Sequence, residues 1–269
     1  MQVISNLNFI KKQHVKPYYE SSAITGLVPK LHFKLEKKQV IINSIRNKKK
    51  AVLDKDGFEL HNYYTPYNEY NILQNLERYK RELEKICKQI FGYKEIFIFD
   101  LTIRSNKEEG AYNIDGRRQP ADRVHVDYTI KSGPKRAKEV IGINKYNNAL
   151  KNKRRIVQFN AWRPLCNEVK SSPLTFADPS SINQKDLIAT DQIFPKRIGE
   201  IYHLAYNRFQ KWYWVPNMKR DEILLIKGWD SSNKKNVVRF TPHAAFSLKN
   251  ENIIKCPRTS IEARIFLIL

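Results

Sequence analysis

From residue 95 to residue 269 the chain breaks into short runs rich in β-branched and aromatic residues, each bounded by turn formers. They are EIFIFDLTIR (95–104), RVHVDYTI (123–130), RIVQFNAWR (155–163), IGEIYHLAY (198–206), KWYWVP (211–216), EILLIKGWD (222–230), NVVRFTPHAAF (236–246) and SIEARIFLIL (260–269). Strands this short, with a single long helical pattern ahead of them, predict two facing sheets, a sandwich or jelly roll flanked by helix. That helical pattern is NEYNILQNLERYKRELEKICKQIFG (68–92). Ile72, Leu73, Leu76, Tyr79, Leu83, Ile86, Cys87 and Ile90 recur there at steps of three and four and form one apolar stripe. Asn68 is placed to cap its start and Gly92 its end, and the stripe should cover one face of a sheet.

The first sixty residues read as strands and loops, with KLHFKL (30–35) and QVIINSI (39–45) as apolar runs. No low-complexity linker, repeat or shift in composition marks a boundary, so the expected organisation is one domain over 1–269. Within it, 1–65 is an N-terminal extension packed on the core, 66–92 the flanking helix and 94–269 the jelly roll. Forty-one per cent of the chain is hydrophobic, enough to bury such a core. No run of eighteen apolar residues occurs and the N-terminus lacks the order of a signal peptide, which predicts a soluble, cytoplasmic protein with no membrane partner. Cys87, Cys166 and Cys256 are scattered, without a CxxC, and read as free thiols.

Forty-nine lysines and arginines against 27 acids give a net charge of +22. The lysines are spread along the chain among asparagines and isoleucines, as compositional bias would spread them on solvated faces. The densest runs, RNKKK (46–50) and KNKRR (151–155), lack the interleaved aromatics of a stacking platform, so nucleic acid is not the expected partner.

Chemistry enters with DRVHVDYT (122–129). In a strand, side chains at i and i+2 share a face, so His125 and Asp127 can both reach a cation inside the barrel. His243, in RFTPHAAF, is the best placed of the other histidines to add a third ligand. Two histidines and one carboxylate can occupy three positions of an octahedral ferrous ion and leave three open; the ordinary alternative is a satisfied polar pair on a strand. His14, His32, His61 and His203 have no ligand-like neighbours and read as surface or satisfied polar residues. Fifteen residues after His243 stands Arg258, in PRTSIEAR (257–264), where Arg258, Ser260, Glu262 and Arg264 alternate toward one face. A guanidinium fork matches a carboxylate and a serine adds a donor, which suits the distal carboxylate of 2-oxoglutarate. The plainer reading is an arginine paired with Glu262 or Asp230.

VHVDYT, NAWRPL (160–165), PLTFAD (173–178), YNRFQKWYWVPNMKRDEILLIKGWDS (206–231), FTPHAAF and PRTSIEAR stand together in one order. In this the chain resembles the gibberellin desaturase, CmcJ and NvfI-like family of non-haem iron, 2-oxoglutarate-dependent oxygenases, over roughly residues 55 to 269. The resemblance implies a double-stranded β-helix core, Fe(II) held by His125, Asp127 and His243, and 2-oxoglutarate and O2 as cosubstrates. It also implies an arginine of PRTSIEAR on 2-oxoglutarate, with Arg258 ranked before Arg264. The activity implied is hydroxylation or desaturation of an unactivated C–H position in a small molecule of natural-product biosynthesis. Where the family has FDHTIR this chain has FDLTIR, with Leu101 in place of a polar group.

Further residues are expected near the pocket. Arg163 is a candidate for the cosubstrate or a substrate carboxylate, and Thr129, on the face of Asp127, can hydrogen-bond a carboxylate and orient it. Trp162, Asp178, Trp212 and Trp214 are candidate pocket residues, with core packing the competing use of the tryptophans. Two other functions compete: an anion- or nucleic-acid-binding jelly roll without chemistry, and a zinc or nickel cupin-type enzyme. The positive charge suits an acidic or carrier-attached substrate.

Overall fold

The computed structural model describes residues 1–26, 28–46, 50–114, 116–249, 251 and 255–269. A ten-stranded sheet runs in the order β1 (Gln2–Ile10), β4 (Leu35–Ser44), β14 (Trp212–Trp214), β11 (Leu174–Ala177), β16 (His243–Ala245), β9 (His125–Val126), β13 (Arg197–Leu204), β12 (Leu187–Phe194), β2 (Tyr18–Glu20) and β3 (Lys30–Leu31). A five-stranded sheet runs β5 (Phe58–Asn62), β15 (Glu222–Asp230), β10 (Ile156–Pro164), β17 (Thr259–Ile268) and β6 (Glu95–Ser105). A hairpin of β7 (Ala111–Asn113) and β8 (Gly116–Arg118) follows β6.

Alternation along β17 and β10 gives the smaller sheet two different faces. Ile261, Ala263, Ile265, Leu267, Phe159 and Ala161 point one way and pack with Tyr79, Leu83 and Cys87 of the helix Leu76–Phe91. Burying a side chain such as Leu83 stabilises the fold by about 1.5–3 kcal/mol. On the other face Trp162, Leu224 and Ile226 meet Phe176 and Tyr213 of the larger sheet, which closes the sandwich. The mainly β, jelly-roll expectation holds. The helix does cover a sheet face and ends as expected at Gly92, whose φ of 57° is left-handed and whose N–H donates to the Lys88 carbonyl. It begins later than Asn68, because Asn68 closes a turn: its side chain accepts from the Tyr70 N–H and its carbonyl from the Ile72 N–H.

Two helices, Ser132–Ile141 and Ile143–Lys151, were not expected. Their Ala137, Ile141, Tyr146 and Ala149 pack with Trp229 and Phe266 and close one end of the sandwich. They also shorten the strand expected over 123–130 to His125–Val126, since the Thr129 hydroxyl accepts from the N–H groups of Lys131 and Ser132 and turns the chain into the first helix. The run over 236–246 keeps only His243–Ala245 as strand. The N-terminal residues do form strands, and they extend the larger sheet itself: β4 pairs in parallel with β14.

Within RNKKK, residues 47–49 lie outside the described residues, and Arg46 pairs with Glu222 at 2.7 Å. Arg155, the last residue of KNKRR, is held by Asp54 and Asp230. No helix among the described residues is long and apolar enough to cross a membrane.

Gly133 shows how tightly the end helices seat. A Cβ added there would lie 2.3 Å from the Trp229 indole. Helix propensity alone favours alanine over glycine by about 0.5–1 kcal/mol. We therefore expect Gly133→Ala to reverse that sign and cost about 1–3 kcal/mol through overpacking, measured by urea denaturation.

Candidate metal and cosubstrate site

The larger sheet places three imidazoles in a row. β16 pairs with β9 at His243 and His125, and β9 pairs with β13 at His125 and His203, so all three side chains project from one face. The His125 and His243 rings are 4.5 Å apart between centroids. Asp127 follows just beyond the end of β9, with Oδ1 3.5 Å from His125 Nε2. One ligand atom from each of His125, Asp127 and His243 lies within 4.8 Å of the others.

The backbone fixes which nitrogen each histidine offers. His125 Nδ1 lies 2.8 Å from the Arg123 carbonyl and His243 Nδ1 3.0 Å from the Thr241 carbonyl. A carbonyl only accepts, so each Nδ1 carries the proton and each Nε2 keeps its lone pair for a cation. Burial, with His125 close by, pushes His243 below its ordinary pKa, which keeps it neutral.

Asp127 is oriented from the opposite sheet. Its Oδ2 accepts from the Asn160 amide at 2.7 Å and from Arg264 Nε at 2.9 Å, leaving Oδ1 toward the histidines. The Gln158 side-chain amide donates to Asn160 Oδ1 at 2.9 Å, which sets the direction of the Asn160 amide. Burial works against the Asp127 charge, yet the adjoining Arg264 guanidinium, with His125 and His243, holds its carboxyl well below the usual carboxylate range. The anion is therefore the form presented to a ligand.

Arg264 lines the cavity in front of this site, and its guanidinium is spread over three carboxylates. Nε meets Asp127, Nη1 meets Asp100, and Nη2 lies 2.7 Å from Glu262. Arg258 lies off the cavity wall, donates to the Ser172 carbonyl at 2.5 Å and sits over the Trp162 ring. Burial pushes its pKa down to about 10. The Ser260 hydroxyl is buried and has no hydrogen-bond partner among the described residues.

The remaining candidates do not line the cavity. Arg163 points to the helical side of β10, one residue out of phase with Asn160 and Trp162, and bonds Glu82 at 2.6 Å. Thr129 does hydrogen-bond a carboxylate, but that of Glu200 at 2.6 Å, while capping the helix that follows. Asp178 caps the turn at Pro179–Ser181. Trp212 and Trp214 pack with Phe9 and Ile42, and Trp162 packs with Phe58 and Met218. Leu101 faces the helix-covered core, so the FDLTIR departure leaves the cavity wall unaltered.

Two further residues, His203 and Arg104, face the site. His203 is buried, with an unpartnered Nδ1, and lines the cavity beside His125; it is neither exposed nor satisfied. Burial, then the nearby Arg123, push its pKa well down, which keeps the imidazole neutral. Arg104 of β6 also lines the cavity. The alternation of EIFIFDLTIR puts Arg104 in phase with Thr102 and Asp100, which was the available signal.

The cavity measures about 1640 Å³, and Arg104, Arg123, His125, Asp127, His203 and Arg264 are among its lining residues. A jelly roll that brings two Nε2 atoms and one carboxylate oxygen together, with His125 and Asp127 on the wall of such a space, defines a two-histidine, one-carboxylate metal site. That donor set suits ferrous ion with open positions for other ligands. The chain belongs to the oxidoreductase/YMDC permease-like domain family, which it matches over residues 7–268.

Among curated relatives it is similar to the hydroxylase/desaturase efuI of Hormonema carpetanum, 29% identical over 89% of this chain and 86% of that one. It is 28% identical to the alpha-ketoglutarate-dependent dioxygenase tstK of Talaromyces stipitatus, over 85% and 84% of the two chains. It is 27% identical to the Fe(II)/2-oxoglutarate-dependent dioxygenase nvfI of Aspergillus novofumigatus, over 69% and 64%. The fold matches a solved structure of the iron and alpha-ketoglutarate-dependent endoperoxidase NvfI with a TM-score of 0.82 at 20% identity, over 99% and 98% of the chains.

Because Asn160 and Arg264 together orient Asp127, Asn160→Leu should weaken metal affinity by about 10- to 100-fold without removing a ligand. Cobalt(II) titration followed by its visible absorption, beside a thermal melt showing an intact fold, measures this.

Proposed function

We propose that the protein is an Fe(II)- and 2-oxoglutarate-dependent oxygenase that hydroxylates or desaturates an unactivated C–H position of a small molecule in natural-product biosynthesis. The observation that carries this reading is the convergence of His125, Asp127 and His243 with both Nε2 atoms free and Asp127 pre-oriented. The relatives' names point the same way. Ferrous ion with 2-oxoglutarate and O2 supplies, when bound, an oxidative decarboxylation to succinate and carbon dioxide whose oxidising power breaks the substrate C–H bond.

The protein's own residues bind, orient and exclude water. His125 and His243 would hold the ion through Nε2, and Asp127 through Oδ1, because Asn160 and Arg264 occupy Oδ2. His203, beside His125 and buried, keeps one edge of the cavity polar without adding charge. The choice between hydroxylation and desaturation lies in how the cavity holds the substrate rather than in the ligand set, which is common to both outcomes.

Several cations on the cavity wall support an acidic substrate, free or carried on an acidic protein. Arg123 sits over the Tyr19 ring at 4.8 Å, and Lys131, Lys135 and Arg197 stand further along the wall. The free thiols of Cys87, Cys166 and Cys256 support a reducing compartment, the cytoplasm, in which ferrous ion also persists.

The test is anaerobic titration of apo-protein with ferrous ion and 2-oxoglutarate. A visible charge-transfer band that requires both additions is expected in wild type and should vanish in Asp127→Ala. A folded wild-type protein that gives no band sinks the reading; a zinc or nickel enzyme of similar fold would show no dependence on 2-oxoglutarate.

A further inference from the structure

The ten-stranded sheet carries a second group of polar side chains beside the metal ligands, and the ligand set uses none of them. Arg123 stands two residues before His125, where a bridge to Asn8 of β1 holds its backbone. Its guanidinium lies over the Tyr19 ring at 4.8 Å and makes no hydrogen bond or ion pair among the described residues. A guanidinium stacked on a ring uses its face there and keeps its in-plane N–H groups, the ones that match a carboxylate. The preceding residue, Asp122, bonds Asn8, and Asp127 is held by Arg264. Arg123 is therefore half-buried without an anion.

Strand pairing brings two more groups to the same place. His203 is the register partner of His125, 1% exposed, and its Nδ1 has no hydrogen-bond partner among the described residues. Its ring lies 5.7 Å from that of Tyr19 and 4.9 Å from that of Phe33. A buried ring nitrogen in this state lacks the partner that water would give it, and with the proton on Nδ1 a bound acceptor would supply one. Tyr19 comes from β2, two strands beyond β13 in the sheet order. Burial pushes its phenol up to about 12, although the nearby Arg123 pulls the other way, so it stays a donor. Its hydroxyl makes no hydrogen bond among the described residues.

Arg123, Tyr19 and His203 all line the cavity that His125 and Asp127 line. Arg123 is two residues, about 7 Å, along the chain from His125, and His203 is one strand spacing, about 5 Å, to its side. One full positive charge beside two neutral donors suits a monoanion, and the flat guanidinium fork suits a carboxylate. A thioester or amide at the same carbon would bring no charge to Arg123.

We propose that Arg123, Tyr19 and His203 form the recognition site for a carboxylate of the substrate, which makes that substrate a free carboxylic acid oxidised a few bonds from its acid group. The proposal rests on the oxygenase reading and narrows it. It also gives the N-terminal segment a part in specificity, because Tyr19 binds the acid and Phe33 backs the His203 ring.

Hexanoate and its neutral isostere hexanamide test this. Protein loaded anaerobically with cobalt(II) and 2-oxoglutarate is titrated with each, and binding is followed by broadening of the probe's proton resonances, with a zinc-loaded sample as the diamagnetic reference. Wild type should bind hexanoate at least about 10-fold more tightly than hexanamide, with the methyl end broadened more than the carboxyl end because the acid points away from the metal. Arg123→Gln should raise the hexanoate Kd roughly 10- to 100-fold, Tyr19→Phe and His203→Gln about 3- to 10-fold each, and Arg123→Lys by an intermediate amount because charge remains without the fork. Affinities for hexanamide, cobalt(II) and 2-oxoglutarate should stay at the wild-type level, which also reports an intact fold. Arg136→Gln, which removes a wall cation already paired with Glu139, should leave hexanoate binding unchanged. Equal binding of acid and amide by wild type, unaltered hexanoate affinity in Arg123→Gln, an equal loss in Arg136→Gln, or strongest broadening at the carboxyl end overturns the proposal and leaves the oxygenase reading standing. Loss of 2-oxoglutarate binding in Arg123→Gln does the same, by giving the arginine to the cosubstrate. A wild-type protein that binds no 2-oxoglutarate overturns both.

Discussion

The contact between Arg264 and Asp127 is the interaction on which the site depends. It joins the five-stranded sheet to the chain just beyond β9, in the other sheet, and it does so through a buried charge pair. Removing either partner would leave an uncompensated charge in a poorly solvated place, which typically costs about 3–5 kcal/mol. The pair is not isolated. Asp100 and Glu262 also converge on Arg264, so one guanidinium ties together β6, β17 and the segment after β9. Burial lowers the arginine's affinity for its proton, but the surrounding carboxylates raise it well above the ordinary value, and it stays charged.

That tie explains the geometry of the ligand carboxylate. With Asn160 and Arg264 both on Oδ2, the aspartate presents one oxygen, and its presentation depends on packing between sheets rather than on the short strand that carries His125. A two-residue strand would be a poor platform by itself. It is made rigid by its flanks, since β16 pairs with it on one side and β13 on the other. The row of three histidines is a consequence of the same pairing.

Local periodicity revealed a good share of this. The runs at 95–104, 155–163, 222–230 and 260–269 became strands because each carries a continuous apolar pattern that survives in any sandwich. The spacing of His125 and Asp127 was readable for the same reason. The helices over 132–151 were hidden by lysine and asparagine. Four apolar side chains, Ala137, Ile141, Tyr146 and Ala149, seat them with Gly133 and the half-buried Val140, while most of the other positions are exposed. The tryptophans at 212 and 214 share a face by strand alternation, and sheet order turns that face to packing, the competing use, rather than to the pocket. Arg104 carries no local signal of its place, and His203 reads from the sequence as a surface or satisfied polar residue, because their meaning is a matter of register: Arg104 acquires a neighbour in Ser260 and His203 one in His125 only once the strands are aligned.

Charge balance gives these placements a common logic. Asp127, Asp100 and Glu262 together exceed Arg264 by two negative charges, which is the charge a divalent cation brings. The acids further along the wall are engaged elsewhere: Asp122 with Asn8, Glu139 with Arg136, and Asp191 and Glu200 with Lys16. Arg104 and Arg123 remain, each half-buried and without a carboxylate within ion-pair distance among the described residues. A dianionic guest entering the cavity would therefore meet two cations whose desolvation cost has already been incurred in folding. Binding it requires little reorganisation of the wall, and that preorganisation favours a diacid over a neutral molecule of the same size.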